Sequence, residues 1–344
     1  FRNIIINGDM SIAQRGTSFS GIGDGGSQYT LDRFKWSEEG ATDAAVYTIT
    51  QSTTVPSGQG FAKSFKVDCT TADTSVDANN IQYVGTAIEG QNLQYLKYGT
   101  SSAENMVLSF WVKSNKTGTY GVALINNEST EKLYSQTYTI LSADTWEKKT
   151  LSYVGDTSNG FDNDNGNSLL IQWYLVAGSG KTSGSSQTWG SNTQANRAAG
   201  QTVNLADSTS NEWYITGVQL EAGTTASEFE FLPVDVTEDR CRRYYQIGGN
   251  CSGRAYSTGG GEFYYAFEKQ MRSAPSATLL DGTSIGEKAG KLHLAGISSY
   301  NITALSSASN QTTKSIQFNF AASSLTSGST MGVLGNPVAL DSEL

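Results

Sequence analysis

Apolar and polar residues alternate with a period of two over 46–51, 64–69, 106–114, 120–125, 147–154, 169–176 and 213–220. Successive side chains of a strand point to opposite faces, so each run predicts a strand with one face buried. Gly, Asn, Asp and Ser cluster at the ends of the runs and supply the turns between them. Over 106–114 the two faces are explicit: Leu108, Phe110 and Val112 form an apolar set, and Ser109, Trp111 and Lys113 a mixed one. Sheets that bury such faces against each other make a β-sandwich. From 177 to 211 the alternation gives way to Gly, Ser, Thr and Asn around one tryptophan, Trp189. A loop of that length is uncommon in a compact domain unless it is functional, so this segment is the first candidate binding loop.

Beyond Pro233, Asp235-Val-Thr-Glu238 has the spacing of a capping box and predicts a short helix over 234–246, stopped at Gly248-Gly249. Strand alternation then returns over 262–269, 276–280, 291–294 and 315–321. The chain therefore reads as all-β, with two β-sandwich domains, 1–233 and 247–344, joined by the helix at 234–246. A length of 344 residues agrees with two domains of unequal size. No fixed-period repeat marks a parallel β-helix.

Charge and composition narrow the function. Lys+Arg 23 against Asp+Glu 32 gives a net charge of −9, which removes the electrostatic drive for nucleic-acid binding. The longest apolar stretch, 169–177, is broken by Gln172 and is too short to span a bilayer. Cys69, Cys241 and Cys251 are odd in number and lack metal-ligand spacing, so they read as buried hydrophobes of a protein assembled in a reducing cytoplasm.

Three motifs suggest chemistry and fail on context. Gly178-Ser-Gly180-Lys181-Thr182 has the tail of a phosphate-binding loop, but its first glycine would fall at Leu175 and no helix pattern follows. Gly282-Thr-Ser284-Ile-Gly286 has the letters of a nucleophile elbow, yet His293 is the chain's only histidine and no helix pattern surrounds it. Glu38, Glu39, Glu212 and Glu221 carry no motif of a paired-carboxylate glycosidase. The sequence thus points to no enzyme and no organic cofactor, with a polysaccharide depolymerase acting through a carboxylate pair as the open alternative. The one inorganic group it suggests is a structural calcium ion, with Asp162 and Asp164 of Asp162-Asn-Asp164-Asn-Gly166 offering closely spaced oxygens.

Aromatic residues are the informative surplus, with Trp 6, Tyr 17 and Phe 13. Sugar rings stack their C–H faces on such side chains while neighbouring polar groups bind hydroxyls. Trp189, Tyr256, Tyr264 and Tyr265, with Arg254 beside them, sit in suitable polar surroundings and are the candidate glycan-binding residues. Trp111, Trp146 and Trp213 fall within or beside alternating strands and are assigned to the core.

Several separated blocks occur in the order found in phage tail-fibre and receptor-binding proteins: Asn3-Ile-Ile-Ile-Asn7-Gly8-Asp9-Met10, Ala13-Gln14-Arg15-Gly16-Thr17, Tyr29-Thr-Leu-Asp32-Arg33-Phe34, Ser109-Phe-Trp-Val-Lys-Ser114, Trp146-Glu-Lys-Lys-Thr150 and Trp213-Tyr-Ile-Thr-Gly217-Val-Gln-Leu-Glu-Ala222. The same blocks resemble the jelly roll of carbohydrate-binding modules. Asp239-Arg-Cys-Arg-Arg-Tyr-Tyr-Gln246, Met271-Arg-Ser-Ala-Pro-Ser276 and Asp341-Ser-Glu-Leu344 resemble the closing half of those phage proteins. The resemblance implies carbohydrate binding, a homotrimer, other virion tail proteins as partners, and attachment through a segment before Phe1. It also implies a calcium site that would involve Asp9, although Thr216-Gly217 stands where that family carries a further acid. The leading expectation is a non-enzymatic virion adhesin, located on the tail fibre, that recognises a host cell-surface glycan or receptor. A carbohydrate-binding module of a secreted bacterial protein and a virion decoration protein are the alternatives.

Overall fold

The computed structural model describes residues 1–344 except 24–25, 41–43, 186, 249–250, 280–290, 295–297, 302–303, 310–311, 322–324, 326, 328–329 and 335–337. Only the backbone is described for 251–252, 277–279, 291–294, 298–301, 304–309, 318, 320–321 and 330–334. Residues 282–286, which carry the letters of a nucleophile elbow, lie outside the described residues, as do the side chains of His293 and Cys251.

The chain is all-β and forms two compact units, Phe1–Thr237 and Glu238–Glu343. Strands of the first unit are β1 (Ser18–Gly23), β2 (Ser27–Tyr29), β3 (Lys35–Glu39), β4 (Val46–Ser52), β5 (Ser64–Thr71), β6 (Ile81–Glu89) and β7 (Met106–Ser114). They continue as β8 (Gly118–Asn126), β9 (Lys132–Ile140), β10 (Glu147–Tyr153), β11 (Asn167–Ala177), β12 (Gly190–Ser191) and β13 (Glu212–Ala222). One sheet has the order β1-β4-β5-β13-β7-β10 and the other β12-β9-β8-β11-β6-β3-β2. All pairs within them are antiparallel, and the chain crosses repeatedly from sheet to sheet. Each expected strand of this unit is present, lengthened by a residue or two at several ends.

The inward faces meet in one core, where Trp36, Trp173, Trp213, Phe34, Phe65 and Phe110 are fully buried. Burying a side chain of this kind stabilises by roughly 1.5–3 kcal/mol relative to exposure. Trp213 is the one tryptophan assigned to the core that lies there, and its indole N–H donates to the Tyr138 hydroxyl at 3.2 Å. Trp111 and Trp146 do not. Trp111 pairs with Lys148 and Thr216 on the outer face of the first sheet, and Trp146 packs edge-on to Tyr214 at 6.1 Å.

Residues before β1 form no strand yet place Ile5, Met10 and Ile12 in the interior. β13 pairs with Ile4 N through Leu220 O and with Gly8 O through Val218 N, and other backbone groups of the segment need side-chain partners. The Asn3 amide donates to Val218 O at 3.0 Å and accepts from the N–H groups of Ile5 and Leu220. Asn7, at φ 60, donates to the carbonyls of Ile12 and Asp32 and accepts from Ile12 N. The buried Asp32 carboxylate takes the backbone and side-chain N–H groups of Gln14. Gly8 lies so close to β13 that a Cβ would stand 2.1 Å from Val218 O. The sequence blocks around Asn3, Asn7, Gln14 and Asp32 are thus scaffold residues.

The helix α2 spans Val234–Arg242, across the boundary between the two units in the chain, and is shorter than the expected 234–246. Tyr245 and Gln246 instead open β14 (Tyr245–Gly248), because their backbones pair with Asp341 and Leu340. The remaining strands are β15 (Cys251–Ser257), β16 (Gly260–Ala266), β17 (Ser276–Leu279), β18 (Lys291–Leu294), β19 (Ser298–Asn301), β20 (Ala304–Ser309), β21 (Ser315–Ala321), β22 (Thr330–Leu334) and β23 (Val338–Asp341). They form sheets of order β14-β23-β17 and β19-β18-β22-β15-β16-β21-β20.

Removing the Asn3 or Asn7 amide leaves several buried backbone groups without partners, each costing about 1–3 kcal/mol. Asn3→Ala and Asn7→Ala are expected to lower the stability of the first unit by about 2–4 kcal/mol in urea unfolding. The exposed control Ser18→Ala is expected to change it by less than about 0.5 kcal/mol.

Candidate functional site

The β15–β16–β21 face collects three of the residues that composition singled out. Arg254 faces Glu262 across the β15–β16 ladder, and Tyr264 follows two residues later on the same side. The Arg254 Nε donates to the Glu262 carboxylate at 2.7 Å, and the Gln317 amide of β21 donates to its other oxygen at 2.9 Å. Arg254 is pushed further towards its charged form by the Glu262 hydrogen bond and charge. Tyr264 is 58% exposed and Tyr256 50% exposed, whereas Tyr265 is buried and packs near Phe267. Strand parity separates the adjacent tyrosines, so Tyr264 belongs to the surface and Tyr265 to the interior. The result is a sheet face with an exposed phenol ring, a fixed guanidinium–carboxylate pair and an amide. Such a face can stack one side of a pyranose ring and bind its hydroxyls.

Trp189 is placed differently from a free stacking ring. Its indole donates to Val154 O at 2.6 Å, and the ring stands edge-on to Tyr98 at 5.8 Å and Tyr134 at 5.7 Å. It is a half-buried wedge against the core cluster.

The loop that carries Trp189 is a cover. Ala198 joins Ile81, Tyr83, Ala123, Ile125, Leu133 and Tyr174 in an apolar layer on the outside of the second sheet. Gly121 N donates to the Gln201 side chain at 3.0 Å, Thr202 N to Thr119 O at 2.9 Å, and the Ser135 hydroxyl to Asn196 O at 2.6 Å. At the centre, Arg197 is buried over the rings of Tyr83 and Tyr174, bonds Gln172 Oε1 at 2.9 Å and forms an ion pair with Glu39. Burial alone would raise the Glu39 carboxyl, but the Arg197 guanidinium and the Tyr83 hydroxyl reverse this and hold it below its ordinary value. The Gly178–Lys181 stretch opens the same cover as a single turn, α1 (Ser179–Thr182), and Lys181 is buried with its ammonium on Gln194. That lysine is committed to the loop and does not face a phosphate.

The expected calcium ligands are not gathered. Asp164 closes a turn on Gly166 N at 2.7 Å, the Asp162 N–H bonds Glu128, and the Asp9 carboxylate takes the Ser11 hydroxyl. Among the described residues no three acidic, histidine or cysteine side chains stand together as a cation site.

The other acids are similarly spent. Glu38 accepts from Asn80 and Gln82, Glu212 from Lys66 and Tyr214, and Glu221 from Ser227 and Gln219. Cys69 and Cys241 are buried free thiols, and burial first, then the charges of Asp68 and Asp207, push the Cys69 thiol up to about 11.

One site was missed by sequence reasoning. On the outer face of the first sheet a cavity of about 240 Å³ is lined by residues that include Ser109, Trp111, Lys148, Phe61, Phe229 and Phe231. The three phenyl rings pack with centroids 4.9–5.1 Å apart. Its signal was present in the mixed set Ser109–Trp111–Lys113, since a tryptophan on that side of the strand must leave the core.

No family model matches the chain, and no curated protein matches it. Among solved structures, the enzymatically active domain of tailspike protein 4 from bacteriophage CBA120 is similar at 13% identity and a TM-score of 0.35, over 64% of this chain and 21% of that one. The chain thus spans about a fifth of that tailspike's length. A family 11 carbohydrate-binding module of a cellulosomal cellulase from Clostridium thermocellum is similar at 10% identity and a TM-score of 0.30, over 59% of this chain and 98% of that one. A xylan-binding domain of carbohydrate-binding module family 22 is similar at 12% identity and a TM-score of 0.29, over 60% and 99%.

Because the folded Glu39 carboxyl lies below its ordinary value of 4.5, its stabilising effect is present above that pH and is lost as pH falls through the lowered value. Protection from hydrogen exchange over 194–203, taken relative to the intrinsic rate at each pH, is expected to be lost in the wild type as pH falls below the ordinary carboxyl value of 4.5. In Glu39→Gln that protection is expected to be low already at about pH 7 and to change little with acid.

Proposed function

We propose that the chain is a non-enzymatic adhesin of a bacteriophage tail fibre that recognises a glycan on the host cell surface. The observation that carries this reading is the β15–β16–β21 face, where exposed Tyr264 and Arg254 flank the Glu262 carboxylate. The ordered sequence blocks support the phage setting, and the all-β architecture suits it. In this reading the chain works as a homotrimer attached to other tail proteins of the virion. Repetition of a weak sugar contact then raises avidity by linking the sites, without any further contact.

The test is binding of a fluorescent fusion of the full chain to a panel of bacterial hosts. Tyr264→Ala and Arg254→Ala are expected to weaken labelling of a susceptible host at least about tenfold with no change in melting temperature. Trp189→Ala is expected to lower the melting temperature and leave labelling by the folded fraction unchanged. Absence of labelling on every host overturns the reading, and release of reducing ends from host polysaccharide overturns its non-enzymatic part.

A further inference from the structure

We propose that the cavity on the outer face of the first sheet is a second carbohydrate site, which takes one neutral pyranose ring. The proposal rests on the reading that the chain binds glycan, but it places a binding site on the first sheet, built from residues other than those of the β15–β16–β21 face.

The cavity is built by the backbone. Gly217 lies in β13 at φ +62, where the register with β7 shifts between Thr216 and Gln219. A Cβ there would stand 2.5 Å from the Phe61 ring, so the missing side chain is what seats that wall. Phe229 and Phe231, from the segment after β13, close the other side.

The floor asks for a polar ligand. Ser109 is 3% exposed and lines the cavity, and its hydroxyl has no hydrogen-bond partner among the described residues. The same is true of the Trp111 indole N–H, one register position along the strand face. Both groups are open to solvent inside the cavity, so a ligand hydroxyl there takes over hydrogen bonds otherwise made to water. A purely apolar occupant would leave both groups unsatisfied.

Size and charge set the rest. At about 240 Å³ the space is below the roughly 300–1,000 Å³ of sites for drug-sized ligands, so it admits one ring and not a chain. Lys148 stands at the rim with Glu228 at 3.9 Å, and the paired charges favour neither an acidic nor a basic sugar. A pyranose meets all of these demands, since its C–H face suits the phenyl and indole walls and its hydroxyls suit Ser109, Trp111 and Lys148.

The experiment is saturation-transfer-difference NMR on the full chain. The probes are the methyl pyranosides of glucose, galactose, mannose, N-acetylglucosamine and rhamnose, with cyclohexanol as an apolar ring of similar size. At least one pyranoside is expected to bind, with transfer concentrated on the C–H protons of one ring face. Ser109→Val, Trp111→Ala and Phe231→Ala are expected to weaken that signal at least tenfold, and Tyr264→Ala to leave it intact. Phe231 is half exposed, so its substitution keeps the test valid should Trp111→Ala fail to fold. Silence with every pyranoside overturns the proposal, as does binding by cyclohexanol alone. A pyranoside signal lost only in Tyr264→Ala also overturns it while sustaining the adhesin reading. Conversely, a signal that needs Trp111 in a chain that labels no host would sustain the pocket and sink the adhesin.

Discussion

A segment that packs on a sandwich core with only a few backbone bonds to a neighbouring strand leaves other N–H and C=O groups that water cannot reach and no ladder pairs. Asn3, Asn7 and Asp32 meet this demand with side-chain amides and a carboxylate, and most of the first unit is arranged around them. Asn3 bridges to β13, the strand between β5 and β7, and so fixes the middle of the first sheet. Asn7 and Asp32 tie the same segment to the turn before β3, an outer strand of the second sheet. The register of both sheets is thereby referred to one irregular stretch of chain. This gives a physical account of why short polar blocks, which no periodicity explains, punctuate the sequence.

The second sheet shows how a face that would otherwise meet solvent is closed. Its strand β6 is buried along its whole length, because the core lies on one side and the 178–204 cover on the other. That double burial is also why β6 escaped recognition in the sequence. Ile81–Glu89 carries apolar, amide and hydroxyl residues on both faces and so has no alternation to read. Strands that follow a plain alternation, such as β7 and β10, were legible to within a residue of their ends. The helix end was misplaced for a related reason, since Tyr245 and Gln246 are claimed by a strand almost a hundred residues away.

For the site, parity was the usable signal and composition the misleading one. Tyr264 and Tyr265 look alike as neighbours in a polar stretch, yet the pleat sends one out and one in. Trp189 looked like a free ring because its loop is polar, and the packing of Tyr98 and Tyr134 around it could not be read locally. Trp111 was assigned to the core because it lies in an alternating strand, although its parity in that strand placed it with Ser109 and Lys113. The acids that offered a metal or catalytic pair in the sequence were separable only once their partners were known. Each turned out to answer a local need, as Glu39 does for the buried guanidinium of Arg197.

The N-terminal segment has one further property, which is mechanical. The amides of Arg2 and Asn3 both donate to the Glu230 carboxylate, and the Arg2 guanidinium reaches Glu228 O. The chain therefore enters the first unit beside the point where it is about to leave it. Tension applied between these two ends is carried by a clamp a few ångströms long, in parallel with the sandwich and not through it. Shear across this clamp must break several hydrogen bonds together before any load reaches the core strands, so the folded domain is shielded from pulling along its own chain.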